Sequence, residues 1–178
     1  MHRTIMASAA YQQASNFAAQ AAELDPDARL LWRFNRRRLS AEEIRDAMLQ
    51  ASGDLDNSMG TEHPFPPVDT WSFTQHGPFY GVYPTNRRSV YLMQQRLKRH
   101  PFLGLFDAAD SNASTGHREL TTVPTQALFL MNSEFVHERS KALAHRWLQS
   151  PPTDERISEL FVSTLGRPAT MTEIAEAR

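Results

Sequence analysis

With 178 residues, 40% of them hydrophobic and 10% aromatic, the chain has the length of one domain and enough apolar material to bury about 70% of its unfolded surface without covalent staples. It has no cysteine, which excludes disulfides, thiolate-bound zinc and a C-x-x-C-H haem attachment within these residues. A formal charge of -1 argues against a surface-wide field for nucleic acid or anionic lipid, and no apolar run reaches the roughly 18 residues that a membrane span needs.

The opening MHRTIMASAAYQQAS lacks the apolar centre of a secretion signal and reads as a helix over 2–15, with Ile5 and Ala9 on one side. No capping residue precedes it, so the helix is expected to continue beyond Met1. Residues 16–22 read as a loop or a frayed end. Asp25 before Pro26 has the form of an N-cap with proline at the first helical position. It predicts a helix over 26–38 in which Leu30, Leu31 and Phe34 face a core. Arg29, Arg33, Arg36, Arg37 and Arg38 surround them, with Trp32 between. That cluster is either an anion or nucleic-acid patch with a stacking aromatic, or a solvated face paired with Glu42, Glu43 and Asp46; the balanced charge of the chain favours the second.

Residues 40–53 specify a helix most strongly. Ser40 and Glu43 form a capping box, Ile44, Ala47, Met48 and Ala51 recur at helical spacing, and Gly53 supplies a left-handed stop. Residues 54–67 are rich in turn formers, and the prolines of HPFPP remove backbone donors. TWSFTQHGPFYGVY, residues 70–83, alternates aromatic and polar side chains and predicts two short strands or an extended irregular segment. RSVYLM, residues 88–93, is the best strand pattern of the chain, and a sheet this small needs a helix against it. A basic stretch, 94–99, then leads to an apolar helical turn at 101–106.

The loop 107–122 crowds Asp107, Asp110, Ser111, Asn112, Ser114, Thr115, Thr121 and Thr122 into one run. Such side chains bond to nearby backbone, and an ordered loop of this length is either functional or packed by its own side chains. Pro124 starts a helix through Met131, with Thr122 in its cap region and Gln126 in its first turn. Asn132 and Ser133 break it and start another, on which Val136, Ser140, Leu143 and Trp147 share a face. Ser150, Pro151, Pro152 and Thr153 end that helix and cap the next, whose stripe is Ile157, Leu160, Phe161 and Thr164. Gly166 stops it, and Thr170 with Glu173 forms a second capping box whose helix is expected to run past Arg178.

The fold class expected is mainly α: a helical globular domain with a small β-hairpin or extended insert around residues 70–93. One domain is expected over 1–178, partial at both termini, with N-terminal helices at 1–53, an irregular insert at 54–93, the polar loop at 107–122 and C-terminal helices at 123–178.

Asp107, Asp110 and Asn112 carry hard oxygens suited to Ca²⁺, but the spacing lacks both the second ligand position and the glycine of an EF-hand, so self-capping turns are expected and no metal. Arg118 lies just ahead of the helix start at 123–126, where exposed N–H groups can hold an anion; Pro124 removes one of them. The alternative is a tether from Arg118 to Asp107, Asp110 or Glu119. His137 and His145 are too far apart to share a metal without a third element. Asp110, Ser114 and His117 are triad residue types without a nucleophile elbow, and no glycine-rich phosphate loop exists. The candidate ligand or interdomain contact residues are therefore Arg88, Asp107, Asp110, Asn112, Arg118 and Gln126.

NRRRLSAEEIRDAMLQASGDLD, RRSVYL, FDAADSN and TTVPTQALFLMNSEFV, together with HRTIMASAAYQQAS at the start and LGRPATMTEIAEA at the end, resemble the C-terminal domain of unknown function of planctomycete cytochrome-type proteins. The resemblance covers nearly the whole chain. It departs at Ser111, where proline is common in the family's D-x-x-D-P-N turn, and at His117, where proline is frequent. It implies a non-catalytic accessory or interaction domain in a larger exported or cell-envelope protein. Upstream domains of the same polypeptide would be its partners, and haem c would belong to a preceding segment, with no cofactor in these residues. A first alternative is a component of a redox-linked carbohydrate-degrading enzyme that uses the acidic loop 107–118, with carbohydrate as ligand. It requires raised carboxylate pKa values at Asp107 and Asp110. A second is anion or nucleic-acid binding by Arg33–Arg38.

Overall fold

In the computed structural model, which describes residues 1–178 other than His63, Pro64, Ser72, Phe73, Thr74, Gln75, Ser150 and Pro152, the chain is mainly helical, as its patterning predicts. It divides into two compact units, 1–38 and 39–178.

In the first unit α1 (His2–Met6) is shorter than the pattern over 2–15 suggests, and α2 (Ala19–Leu24) occupies the stretch that reads as a loop. The helix predicted over 26–38 does not form. Asp25 is the cause: its carboxylate accepts the N–H groups of Arg29 at 3.0 Å and Leu30 at 2.7 Å, and its carbonyl accepts Trp32 Nε1 at 2.8 Å. An aspartate bonding its neighbouring backbone in this way offers the chain an alternative to the helix. Ala28 at φ 52° and Leu31 at φ 58° complete the departure.

The second unit is built on α3 (Ala41–Ser52). Ser40 Oγ accepts the Glu43 N–H at 3.3 Å, Glu43 Oε2 accepts the Ser40 N–H at 2.8 Å, and Gly53 closes the helix at φ 83°. The buried face is rotated from the apolar repeat. Ala41, Arg45, Leu49 and Ser52 are buried, Ile44, Met48 and Ala51 are half-buried beside them, and Ala47 is exposed.

The strand predicted over 88–93 is a 3-10 turn at Ser89–Tyr91, and the described residues contain one isolated parallel bridge, between Asp56 and Arg87. Two side chains of α3 take the bonds a sheet partner would have taken. Arg45 Nη1 donates to the Arg87 carbonyl at 3.0 Å and to Ser89 Oγ at 3.1 Å, and Nη2 donates to the Thr85 carbonyl. Asp46 Oδ1 accepts the Ser89 N–H at 2.8 Å and its Oγ at 2.6 Å. Of the segment 70–83, residues 72–75 lie outside the described residues. Its remainder is set by 3-10 turns at Val68–Thr70 and Gly77–Tyr80 and by edge-to-face rings. Phe65 meets Phe79 at 5.2 Å, Tyr83 at 6.0 Å and Trp71 at 6.3 Å.

Among the described residues five helices follow: α4 (Pro101–Leu105), α5 (Pro124–Asn132), α6 (Glu134–Trp147), α7 (Asp154–Leu165) and α8 (Met171–Ala177). Helix α3 packs on α4, α6 and α7, while α5 packs on α6 and α8 on α7. The core joins Ala41, Leu92, Phe102, Leu103, Phe106 and Ala108, with Phe129 and Phe135 against them. Val136, Leu143 and Trp147 turn inward on α6 and Ser140 stays exposed; Ile157, Leu160 and Phe161 do so on α7, where Thr164 is exposed. Thr153 Oγ1 caps α7 through the Arg156 N–H at 3.3 Å; Ser150 and Pro152, read as the end of the preceding helix, lie outside the described residues. At α8 the fork of Arg167 and the cap at Thr170 together hold the Glu173 carboxyl down at about 2.

Candidate functional site

A cleft of about 810 Å³ opens between the start of α3, the turn at 88–94 and the loop 108–118. Glu42, Asp46, Arg88, Asp110 and Arg118 line it. It therefore gathers Arg88, Asp110 and Arg118 from the predicted set, and leaves Asp107, Asn112 and Gln126 outside its lining.

Those three hold the loop. Asp107 sits at φ 64°, and its carboxylate accepts the Thr121 N–H at 2.8 Å and Thr121 Oγ1 at 2.9 Å, closing the loop from its two ends. Asn112 donates its N–H to Asp110 Oδ1 at 2.9 Å and its Nδ2 to the Arg96 carbonyl at 3.1 Å. Gln126, buried on α5, donates to the Leu105 carbonyl at 2.9 Å and accepts the Val123 N–H at 3.4 Å, tying α5 to the end of α4. The cap of α5 is thus Val123 with Gln126 reaching back, not Thr122. Asp107→Ala is expected to cost about 2–4 kcal/mol, from the loss of two Thr121 bonds to a carboxylate together with positive-φ strain. Hydrogen exchange checks it: the Thr121 amide loses protection while the α3 amides keep theirs.

The electrostatics of the cleft are those of fixed ion pairs. Burial works to raise the Glu42 carboxyl, and Arg118 Nη1, 2.8 Å away, outweighs it and holds the group below the usual range. Arg118 thus reaches across to α3, and its tether is none of the three acids in or beside its own loop. The Asn112 N–H holds the Asp110 carboxyl low as well, the opposite of what a general acid requires. Asp46 is occupied by Ser89, and Glu43 by the cap of α3. Arg88 is exposed, and its side chain makes no hydrogen bond or ion pair with a described residue.

The arginine-rich run in the first unit is also occupied. Arg33 lies over the rings of Trp32 at 4.7 Å and Phe17 at 5.6 Å, Arg36 Nε donates to Ser15 Oγ at 3.3 Å, and Arg37 and Arg38 have partners too. Among the described residues no group of three histidines or carboxylates is placed to hold a metal ion, and no helix is long and apolar enough to cross a membrane.

Sequence reasoning missed Arg45 and His100. A charged residue inside the helical repeat reads as solvent-facing, and the signal that corrects it is the position of Arg45 four residues after Ala41 and four before Leu49, on the inward face. Burial draws its pKa down, Asp46 opposes, and Arg139 adds to the fall. His100 precedes Pro101, and its Nδ1 accepts the Leu103 N–H at 3.5 Å as the cap of α4. Burial and then the Arg45 charge depress the imidazole pKa. The unfolded chain then binds the proton more readily than the folded one, so the stability this histidine contributes is present above the ordinary value of about 6.5 and is lost as pH falls below it. Urea midpoints measured from pH 7.5 to 5 should fall more steeply in the wild type than in His100→Asn, which keeps a capping acceptor but does not titrate.

The sequence model of the family described as "PSD1: Protein of unknown function (DUF1553)" matches residues 1–178. No curated protein and no solved structure matches the chain.

Proposed function

The chain belongs to the DUF1553 family, and from that premise we propose that it is a non-catalytic interaction domain of a larger protein. Its resemblance to the C-terminal domain of planctomycete cytochrome-type proteins supports the finer reading: an exported or cell-envelope polypeptide whose haem c lies in a preceding segment. The partners are then the upstream domains of the same polypeptide. The observation that carries the proposal is the state of the cleft. Glu42, Glu43, Asp46 and Asp110 are all committed as hydrogen-bond acceptors for this chain's own groups, while Arg88 lines the same cleft without a partner among the described residues. Such a surface is suited to recognising an acidic group, whereas the Glu42 and Asp110 carboxyls are held low, the opposite of what a general acid requires.

The acidic-loop alternative asks Asp107 and Asp110 to act as acid and base. Asp110 is shifted the wrong way and Asp107 serves as a bracket for Thr121, so carbohydrate cleavage by this loop is not the reading we favour. A binding measurement between this chain and the separately produced upstream domains decides the matter. Saturable association that Arg88→Glu weakens at least tenfold, at unchanged circular dichroism, supports interdomain docking; association indifferent to that substitution sinks it.

A further inference from the structure

Between Glu119 and Glu134 no residue is charged, and α5 lies inside that stretch. Its inward side is set by Gln126, which is buried, and by Phe129, whose ring meets those of Phe102 at 5.7 Å and Phe106 at 6.1 Å. A helix with one buried side ordinarily carries polar residues on the other. Helix α5 does not. Pro124, Ala127, Leu128 and Met131 recur at helical spacing, which sets them in one stripe on the side away from Gln126 and Phe129, and all four are exposed. Leu128 is 57% exposed and Met131 70%, and Leu120 adds a further apolar side chain, 59% exposed, just ahead of the helix. Apolar residues scattered singly over a surface are ordinary; a stripe at this spacing with no charge in it has the pattern of a helix that packs on another helix.

The composition of the stripe determines what fits over it. It has no charge, so a charged surface of the kind suited to Arg88 would be desolvated against it without compensation. It is also its own complement in shape. In an antiparallel pair of α5 helices related by a two-fold axis between positions 127 and 128, position 124 of one copy faces 131 of the other, and 127 faces 128. Each facing pair then sets a small side chain against a long one, proline against methionine and alanine against leucine, the alternation that lets two layers interdigitate. The same arrangement brings the amino end of each helix beside the carboxyl end of the other, where their dipoles attract. A two-fold contact needs this self-complementarity, because one patch serves on both copies.

We propose that the outer stripe of α5 is a self-association surface, through which two copies of this chain pair by antiparallel packing of their α5 helices. With one short helix on each side, the contact belongs among the small, weak interfaces. It shares no residue with the cleft at Arg88 and stands whether or not interdomain docking occurs there.

Sedimentation velocity of the whole chain from about 5 to 500 µM should show the average coefficient rising from the monomer value toward that of the dimer. Leu128→Glu, at an exposed position, should raise the dissociation constant at least tenfold at unchanged circular dichroism. Two further variants separate shape from stickiness. Ala127→Leu makes the stripe more apolar but sets leucine against leucine, and should weaken pairing at least fivefold. Combining it with Leu128→Ala restores a small side chain opposite a long one and should bring the constant back to within about threefold of wild type. A chain that stays monomeric at the highest concentration overturns the proposal, as does association that Leu128→Glu leaves intact or that Ala127→Leu strengthens. Uptake of a monomeric chain by phosphatidylcholine vesicles, lost in Leu128→Glu, would assign the face to a membrane surface and overturn it as well.

Discussion

Arg45→Met is expected to lower the free energy of unfolding by about 3–5 kcal/mol, the usual cost of breaking a buried charged network by removing one member. Two effects compete. Methionine occupies much of the stem's volume and relieves the desolvation of a guanidinium that is 3% exposed. Against that, the Thr85 and Arg87 carbonyls lose their donor, the Ser89 hydroxyl loses one partner, and Asp46 keeps its charge without the guanidinium 3.7 Å away. Each unmet group costs about 1–3 kcal/mol, so the loss exceeds the relief. Arg45→Lys is expected to recover only part of it, because one ammonium cannot reproduce the planar fork that reaches three acceptors. Urea titration reads both variants; a fall of under about 1 kcal/mol for Arg45→Met would mean that 85–89 is held by something else.

Phe102→Ala should cost a similar amount, about 3–5 kcal/mol, for a different reason. Phe102 is 4% exposed and stacks on Phe106 with centroids 4.8 Å apart at 28°, while Phe129 and Phe135 meet its edge. Truncation removes the one ring that all three touch, and the neighbours lie just past the end of α4 and on α5 and α6, which cannot all move inward together. The two substitutions are not independent. Arg45 lies over the ring of Phe135 at 5.8 Å, and Phe135 packs on Phe102, so the double variant should lose less than the two losses added.

What the residue pattern makes legible are the elements decided within a few positions. Ser40 with Glu43, Thr170 with Glu173, Gly53 and Gly166 all act where local chemistry places them, as does the break at Asn132 and Ser133. Elements decided at a distance are misread. Residues 88–93 have the β-branched and aromatic content of a strand, yet the Ser89 N–H, and the Arg87 carbonyl just ahead of them, are claimed by Asp46 and Arg45, some forty positions earlier. The stretch 26–38 fails as a helix through a local effect that proline at an apparent first position disguises: Asp25 does bond the amides ahead of it, but to fold a turn. At the candidate site, Arg88, Asp110 and Arg118 line one cleft, although Arg88 stands well ahead of the loop in the chain. The inward turn of Arg45 depends on which stripe of α3 meets Phe102 and α6, and only tertiary packing sets that.

The bonds from Arg45 and Asp46 to Thr85, Arg87 and Ser89 span 40 to 44 positions, and Met59, 76% exposed, lies inside the span. A protease cut at that methionine would therefore not release the two pieces. They would migrate together on a sizing column as a non-covalent pair, and would part only in denaturant.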